Sequence, residues 1–509
     1  MIWLNSFILC LSCLLQSNDA IQQDEDTFAS PPPLPLIRER TEDQVTQFLA
    51  NAPPGESTGT SVGLKLYTSS KFDVGNLFVV VFASCVCISM LAPGAYIFYN
   101  ALQGTKLDID SVGKGAGLLC LLSFAWILFI YSLAFSRNAH SYDVVDSEIN
   151  VIDRDSASGS IFIGEFTHIG IRGLGPNWGG GNVRYPLRRV NDRIPHMMFM
   201  TFQMMVFLQC VVPLMVVAGK GIGRWSSISF WLLWSSCIYA TLCYWTQGGG
   251  WLSDCIDAGA AVPVHLSIGF TALGLSFLKS PSDNFLGARF QARDASLGLL
   301  LWVMGSLFVA ACRSAMISSW STPDFLNLFL SGNAGLLTWL VIQSKYVRFQ
   351  ENYPWLLGPM AGVVAISSGS ASVSPGTAIL VGVLGTLVTC MTLHTRGDRP
   401  VTMLWLLFAI HGTSAFAGLV ATGVFASADV AGHDVAGKPI VGLLGGDFEQ
   451  LRVQFLAASL SAFLSFAGSI VLLRVAQFFG IALERIFGRS AAADRRTIES
   501  IAHKPTRTG

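Results

Sequence analysis

The sequence predicts an all-α polytopic membrane protein: eleven transmembrane helices, arranged as a pseudo-twofold inverted repeat of five plus five helices and a final long helix. Three observations lead there. Charged residues make up 13% of the 509-residue chain and hydrophobic residues 52%, with mean hydropathy +0.53, whereas a soluble domain carries about 25% charged residues. Eleven stretches stay apolar over the roughly 20 residues that a spanning helix needs. Five is an odd number of crossings, so two five-helix halves must run with opposite membrane topology, and a pathway then lies between the halves.

Taken in order, residues 1–20 are apolar (Ile2, Leu4, Phe7 to Leu15) and end in Ser-Asn-Asp-Ala. The run is too short to span comfortably and reads as a signal peptide, with an additional anchor as the alternative. Residues 21–72 are polar and Pro-rich (Pro31 to Pro35, Pro53, Pro54) and are expected to form a poorly ordered external tail. The membrane domain, 73–480, holds candidate spans at 74–100, 113–136, 196–219, 225–245, 259–279, 295–317, 324–345, 355–372, 375–394, 401–427 and 451–479. The eighth and ninth are short and rich in Gly and Ser, a composition that lets helices pack closely. Residues 481–509 form a C-terminal tail.

Lys106, Lys114, Lys220, Arg224, Lys279 and Arg289 fall in alternate connections, while the opposite short loops 245–258, 316–323 and 373–374 have no Lys or Arg. The positive-inside rule places the basic side and the C-terminus in the cytoplasm and the N-terminus outside a cell membrane. The 32 basic and 32 acidic residues cancel, which argues against a nucleic-acid partner. The 11 cysteines contain no CxxC pair with a downstream partner pair, so no metal site is expected. No nucleophile–base set or cofactor loop is present, and the Gly173–Gly181 stretch reads as an external loop. Neither an enzyme nor a bound cofactor is expected.

Few polar side chains lie deep in the spans. Two are histidines, His265 in the fifth and His411 in the tenth. These are corresponding positions of the two halves, so pseudo-symmetry brings the imidazoles together near the midplane, where a pair can share and pass on a proton. Asp257 falls at the start of the fifth span, where a carboxylate caps free N–H groups. Trp245 either offers a π face to an entering cation or serves as an interfacial belt residue.

Several of these segments resemble the ammonium transporter (Amt/Rh, methylammonium permease) family. His196-Met-Met-Phe-Met-Thr-Phe-Gln-Met-Met is similar to its third-helix signature, and Trp245…Gly248-Gly-Gly…Asp257…His265 keeps the family spacing. Pro93-Gly-Ala-Tyr-Ile-Phe-Tyr99, Gly358-Pro-Met-Ala-Gly and His411-Gly412 extend the likeness over about 73–480. The resemblance implies a homotrimer in the bilayer, each protomer with its own narrow hydrophobic pore. Ammonium is recruited outside by aromatic rings, loses its proton and crosses as ammonia past twin histidines. Carried over, Phe202 matches the outer phenylalanine gate, Trp245 the recruiting tryptophan, Asp257 the structural aspartate, and His265 and His411 the twin histidines.

The chain also departs from the family pattern. The inner gate phenylalanine falls at Val206 in ungapped register, or at Phe207 with a one-residue shift. The family's sixth-helix Phe-Asn-x-Gly-Ser run reads Phe308-Val-Ala-Ala-Cys-Arg-Ser314, which puts Cys312, Arg313 or Ser314 at the recruiting serine. Arg313 either snorkels to headgroups or places a fixed cation where substrate is captured. The C-terminal tail lacks the family pattern, leaving a cytoplasmic regulator open. The leading expectation is transmembrane ammonium/ammonia transport. The alternatives are an ammonium sensor or conduction-impaired relative, or transport of another small solute.

Overall fold

The computed structural model describes the backbone of residues 66–68, 74–105, 108–136, 160–179, 182–186, 194–219, 222–278, 286, 290–317, 322–397, 399–433 and 437–488 and, except at 66–68, 74, 177–186, 313–322 and 487–488, their side chains. The expected signal peptide, most of the expected tail and the residues after 488 lie outside the described residues.

Eleven apolar helices follow one another: α1 Gly75–Leu102, α2 Ile109–Phe135, α3 His196–Ala218, α4 Arg224–Thr246, α5 Ala261–Ser276, α6 Ala292–Cys312, α7 Pro323–Lys345, α8 Leu357–Ile366, α9 Pro375–His394, α10 Met403–Phe425 and α11 Phe448–Ile486. Among the described residues nine are long and apolar enough to cross a membrane; α5 and α8 are apolar but shorter. Large apolar side chains remain uncovered on their outer faces, Phe124 at 65%, Phe463 at 68% and Phe478 at 72% exposure, as befits helices whose solvent is lipid.

The eighth span is shorter than its apolar run suggested. It ends at Ile366, and residues 367–374 unwind into a Ser-rich turn. That turn keeps its backbone satisfied. Asn327 Nδ2 donates to the Ser370 and Val373 carbonyls at 2.7 Å each, and Ser374 caps α9 by accepting from Thr377 N at 3.3 Å. The loop before α5 joins it, with Ala258 N bonded to Ser368 O at 3.0 Å and Gly259 N to Ser367 O at 2.7 Å. Irregular backbone survives at membrane depth only when it is paired within the protein.

A small sheet lies in the segments that connect to the helices. Strand β1 (Leu66–Thr68) falls within the expected unstructured tail, and β2 (Asn177–Gly179) and β3 (Asn182–Pro186) lie in the long connection between α2 and α3. The order is β1-β3-β2 and both pairings are antiparallel.

Two close approaches position the site. A Cβ added at Gly94 of α1 would stand 2.8 Å from Trp302 N and 2.9 Å from Gly298 O of α6, so these small residues let the two helices touch. A Cβ at Gly269 of α5 would collide with the Gly412 backbone of α10. These are the helices that carry the two histidines, and each histidine sits on a π-helical turn, Ala261–Leu266 and Phe408–Thr413. Such turns widen a helix locally and recur at functional sites.

Candidate functional site

The start of α5 is held by Asp257. Its carboxylate accepts from Ala261 N at 2.6 Å and Val262 N at 2.9 Å, and Ala260 takes the left-handed conformation, φ 58°, to turn the chain into the helix. Pro263 in the first turn has no N–H to satisfy. From this anchored end His265 projects inward. Its Nδ1 lies 3.1 Å from His411 Nδ1, the rings inclined by 23° with centroids 5.2 Å apart. His265 is 8% exposed and His411 1%.

The hydrogen bonds continue behind the pair. The Tyr99 hydroxyl of α1 lies 2.7 Å from His411 Nε2 and 3.4 Å from Met360 Sδ of α8. The Trp302 ring of α6 stands edge-on to both imidazoles, 6.4 Å from each centroid. One proton fits between two Nδ1 atoms, so one ring donates and the other accepts. With Nδ1 engaged, Nε2 is the His265 nitrogen that the pair does not use.

His265 lines a cavity of about 110 Å³, and His411 does not. Both halves build its walls. Phe202, Gln203, Val206 and Gln209 come from α3, Cys87 and Leu91 from α1. The second half adds Trp302, Ser306, Val309 and Ala310 from α6, with Leu328, Val363 and Ser367 from α7, α8 and the turn after α8. Gln247 enters from the loop after α4. Among the described residues, the lining carries no formally charged side chain.

The sequence model of the Ammonium Transporter Family matches residues 77–485. The chain belongs to this family. It is 24% identical over 417 residues to an ammonium transporter of Bacillus subtilis, covering 79% of this chain and 92% of that protein. Its fold is similar to the crystal structure of Candida albicans Mep2, with TM-score 0.65, 21% identity, and coverage of 84% of this chain and 89% of that one. A solved "Sensor Amt Protein" shares the fold as well, at TM-score 0.60 and 17% identity, covering 81% of this chain and 93% of that one. The protein is therefore a multi-pass membrane protein of a family of transporters rather than enzymes.

Against the family pattern, the structure places the expected residues unevenly. His265, Phe202 and Val206 line the cavity. Phe207, the one-residue alternative for the inner gate, does not: it is fully buried between helices, stacked on Trp126 at 5.1 Å and packed on Tyr239 at 4.9 Å. On α6 the cavity face is Trp302, Ser306, Val309 and Ala310, which are i, i+4, i+7 and i+8. Phe308 lies off that face, 39% exposed and edge-on to Phe82 at 5.9 Å, and the buried Cys312 does not line the cavity. The side chains of Arg313 and Ser314 lie outside the described residues. Trp245 is half-buried away from the cavity lining; its Nε1 donates to Phe162 O at 2.8 Å, and its ring meets Trp251 at 5.6 Å. Residue types alone did not single out Trp302, Met360 or the glutamines. The signal for Gln209 was Pro213, which has no N–H to give the carbonyl four residues back.

Proposed function

We propose that the protein moves ammonium nitrogen across the cell membrane by separating the ion from its proton. Ammonium enters on the side bearing Trp245 and Phe202, loses a proton, and crosses as ammonia beside His265 and His411. The observation that carries this reading is the 3.1 Å Nδ1–Nδ1 contact at the wall of a cavity shared by both halves. Moving a bare cation into hydrocarbon costs tens of kcal/mol by Born solvation, and cation–π contacts return only about 0.5–2 kcal/mol. Loss of the proton removes that cost. The proposed assembly is a homotrimer, with the N-terminus outside and the C-terminus in the cytoplasm.

The test is expression in a host lacking its own ammonium transporters, grown on low ammonium. The wild type is expected to restore growth, and His265→Ala and His411→Ala are expected to abolish rescue at equal membrane abundance. Rescue by both variants would remove the histidines from the pathway.

A second reading is a conduction-impaired relative or sensor. It draws support from Arg313, which follows the cavity-lining Val309 by four residues, and from the likeness to a protein titled a sensor. Absence of rescue by the wild type, with rescue by Arg313→Ser, would favour it.

A further inference from the structure

The cavity beside His265 is unusually rich in amides for a conduit meant to pass a neutral molecule. Gln203, Gln209 and Gln247 all line it. Each is half-buried, and none of the three amide groups makes a side-chain hydrogen bond among the described residues. An amide oxygen is an acceptor with two lone pairs, and a partly desolvated cation is the ligand that such oxygens satisfy best. At the inner gate register the lining residue is Val206, while Phe207 and Phe308 face elsewhere; the rings that do line the cavity are Phe202 and Trp302. A volume of about 110 Å³ admits an ammonium ion together with several waters.

We propose that this cavity is a cation-binding chamber in which Gln203, Gln209 and Gln247 hold ammonium as the intact ion against His265. The inference rests on the transport reading for its substrate, and it moves the deprotonation step from an aromatic gate at the mouth to the imidazole itself. In that step an N–H bond of ammonium breaks, the proton joins the free ring nitrogen of His265, and ammonia departs. The chamber also sets specificity. Carbonyl oxygens that replace the hydration shell of ammonium do the same for K⁺, so K⁺ competes for the chamber. It does not cross, having no proton to lose. A dry gate that admitted only the neutral molecule would be indifferent to K⁺.

The experiment has a binding arm and a transport arm. In the first, thermal unfolding of the purified full chain is followed in ammonium chloride, potassium chloride and, at matched ionic strength, choline chloride. A ligand that binds only the native state raises the melting temperature. Ammonium and K⁺ are each expected to raise it, choline not. Gln209→Met, which keeps bulk and removes the acceptor, is expected to raise the half-effective concentration by roughly tenfold, the scale of one charge-assisted hydrogen bond. Gln247→Met serves as the second variant should the first not fold.

In the transport arm, K⁺ is expected to inhibit methylammonium uptake by the wild type and to lose potency in the Met variants. Equal melting temperatures in all three salts, or half-effective concentrations unchanged by both substitutions, would overturn the chamber. Growth rescue with K⁺-insensitive uptake would also overturn it and leave the transport reading standing. Cation-specific stabilisation without rescue would sink transport and keep the chamber.

Discussion

His265 and His411 lie ring along ring, inclined by 23°, with Nδ1 facing Nδ1 at 3.1 Å. His168 and His196, in the connection before α3 and at its first residue, meet edge to face at 83° with centroids 4.9 Å apart. Each pair has a tyrosine on one imidazole Nε2: Tyr99 on His411 at 2.7 Å, and Tyr131 on His196 at 2.6 Å. The outer ring differs. His265 borders the cavity, whereas His168 Nδ1 is bonded to the Arg172 carbonyl at 3.2 Å. Two histidines and a tyrosine therefore serve two ends. Facing ring nitrogens can hand a proton across, while perpendicular rings tied to a backbone carbonyl pin a loop to the end of a helix.

The comparison breaks most sharply at Gly269. A methyl group there meets the Gly412 backbone, one residue from His411. Gly269→Ala is expected to separate α5 from α10, lower uptake by more than about tenfold and cost about 1–3 kcal/mol of stability, as overpacking does. Methylammonium uptake and thermal unfolding in detergent measure both effects. Retention of full uptake would mean that the facing-ring geometry is dispensable.

A smaller effect is expected at Tyr99. Tyr99→Phe strips the hydroxyl from His411 Nε2 and leaves a buried ring nitrogen unsatisfied, worth about 1–3 kcal/mol. Uptake should fall several-fold, and ¹⁵N-imidazole spectra should show a changed tautomer ratio at the pair. Tyr131→Phe should leave uptake unchanged. Equal losses in the two variants would erase the distinction drawn between the pairs.

The smallest effect belongs to His168. Burial pushes its pKa below the ordinary value of 6.5, with the Arg172 carbonyl bond opposing in part. Because the folded value is the lower one, the unfolded loop binds more protons just below pH 6.5, so stability rises with pH through that window. The anchor is fully present above about 6.5 and is lost as pH falls through the unfolded and then the folded value. Proteolysis of the 160–179 segment should accelerate between pH 7 and pH 5, and His168→Gln should flatten that dependence. A wild-type rate independent of pH would remove His168 from the anchoring role.

Much of this molecule could be read from its residues. Apolar runs located the eleven helices, to within a few positions except at the ends of the eighth and eleventh, because length and charge depletion suffice to mark a span. Two histidines at matching places in the fifth and tenth runs foretold their meeting. Asp257 read as a helix cap, and its carboxylate accepts from Ala261 N and Val262 N. Beyond His265, Phe202 and Val206, the side chains that face the cavity were not legible. A helix with lipid on one side and protein on the other is apolar all round, so periodicity cannot tell Val206 from Phe207 or Val309 from Phe308. Those choices came from packing: Phe207 found a slot against Trp126, and Phe308 lay against Phe82. The glutamines acquired a shared purpose only when α3 and the loop after α4 closed on one space, since nothing along the chain relates residues 203, 209 and 247 until the halves meet.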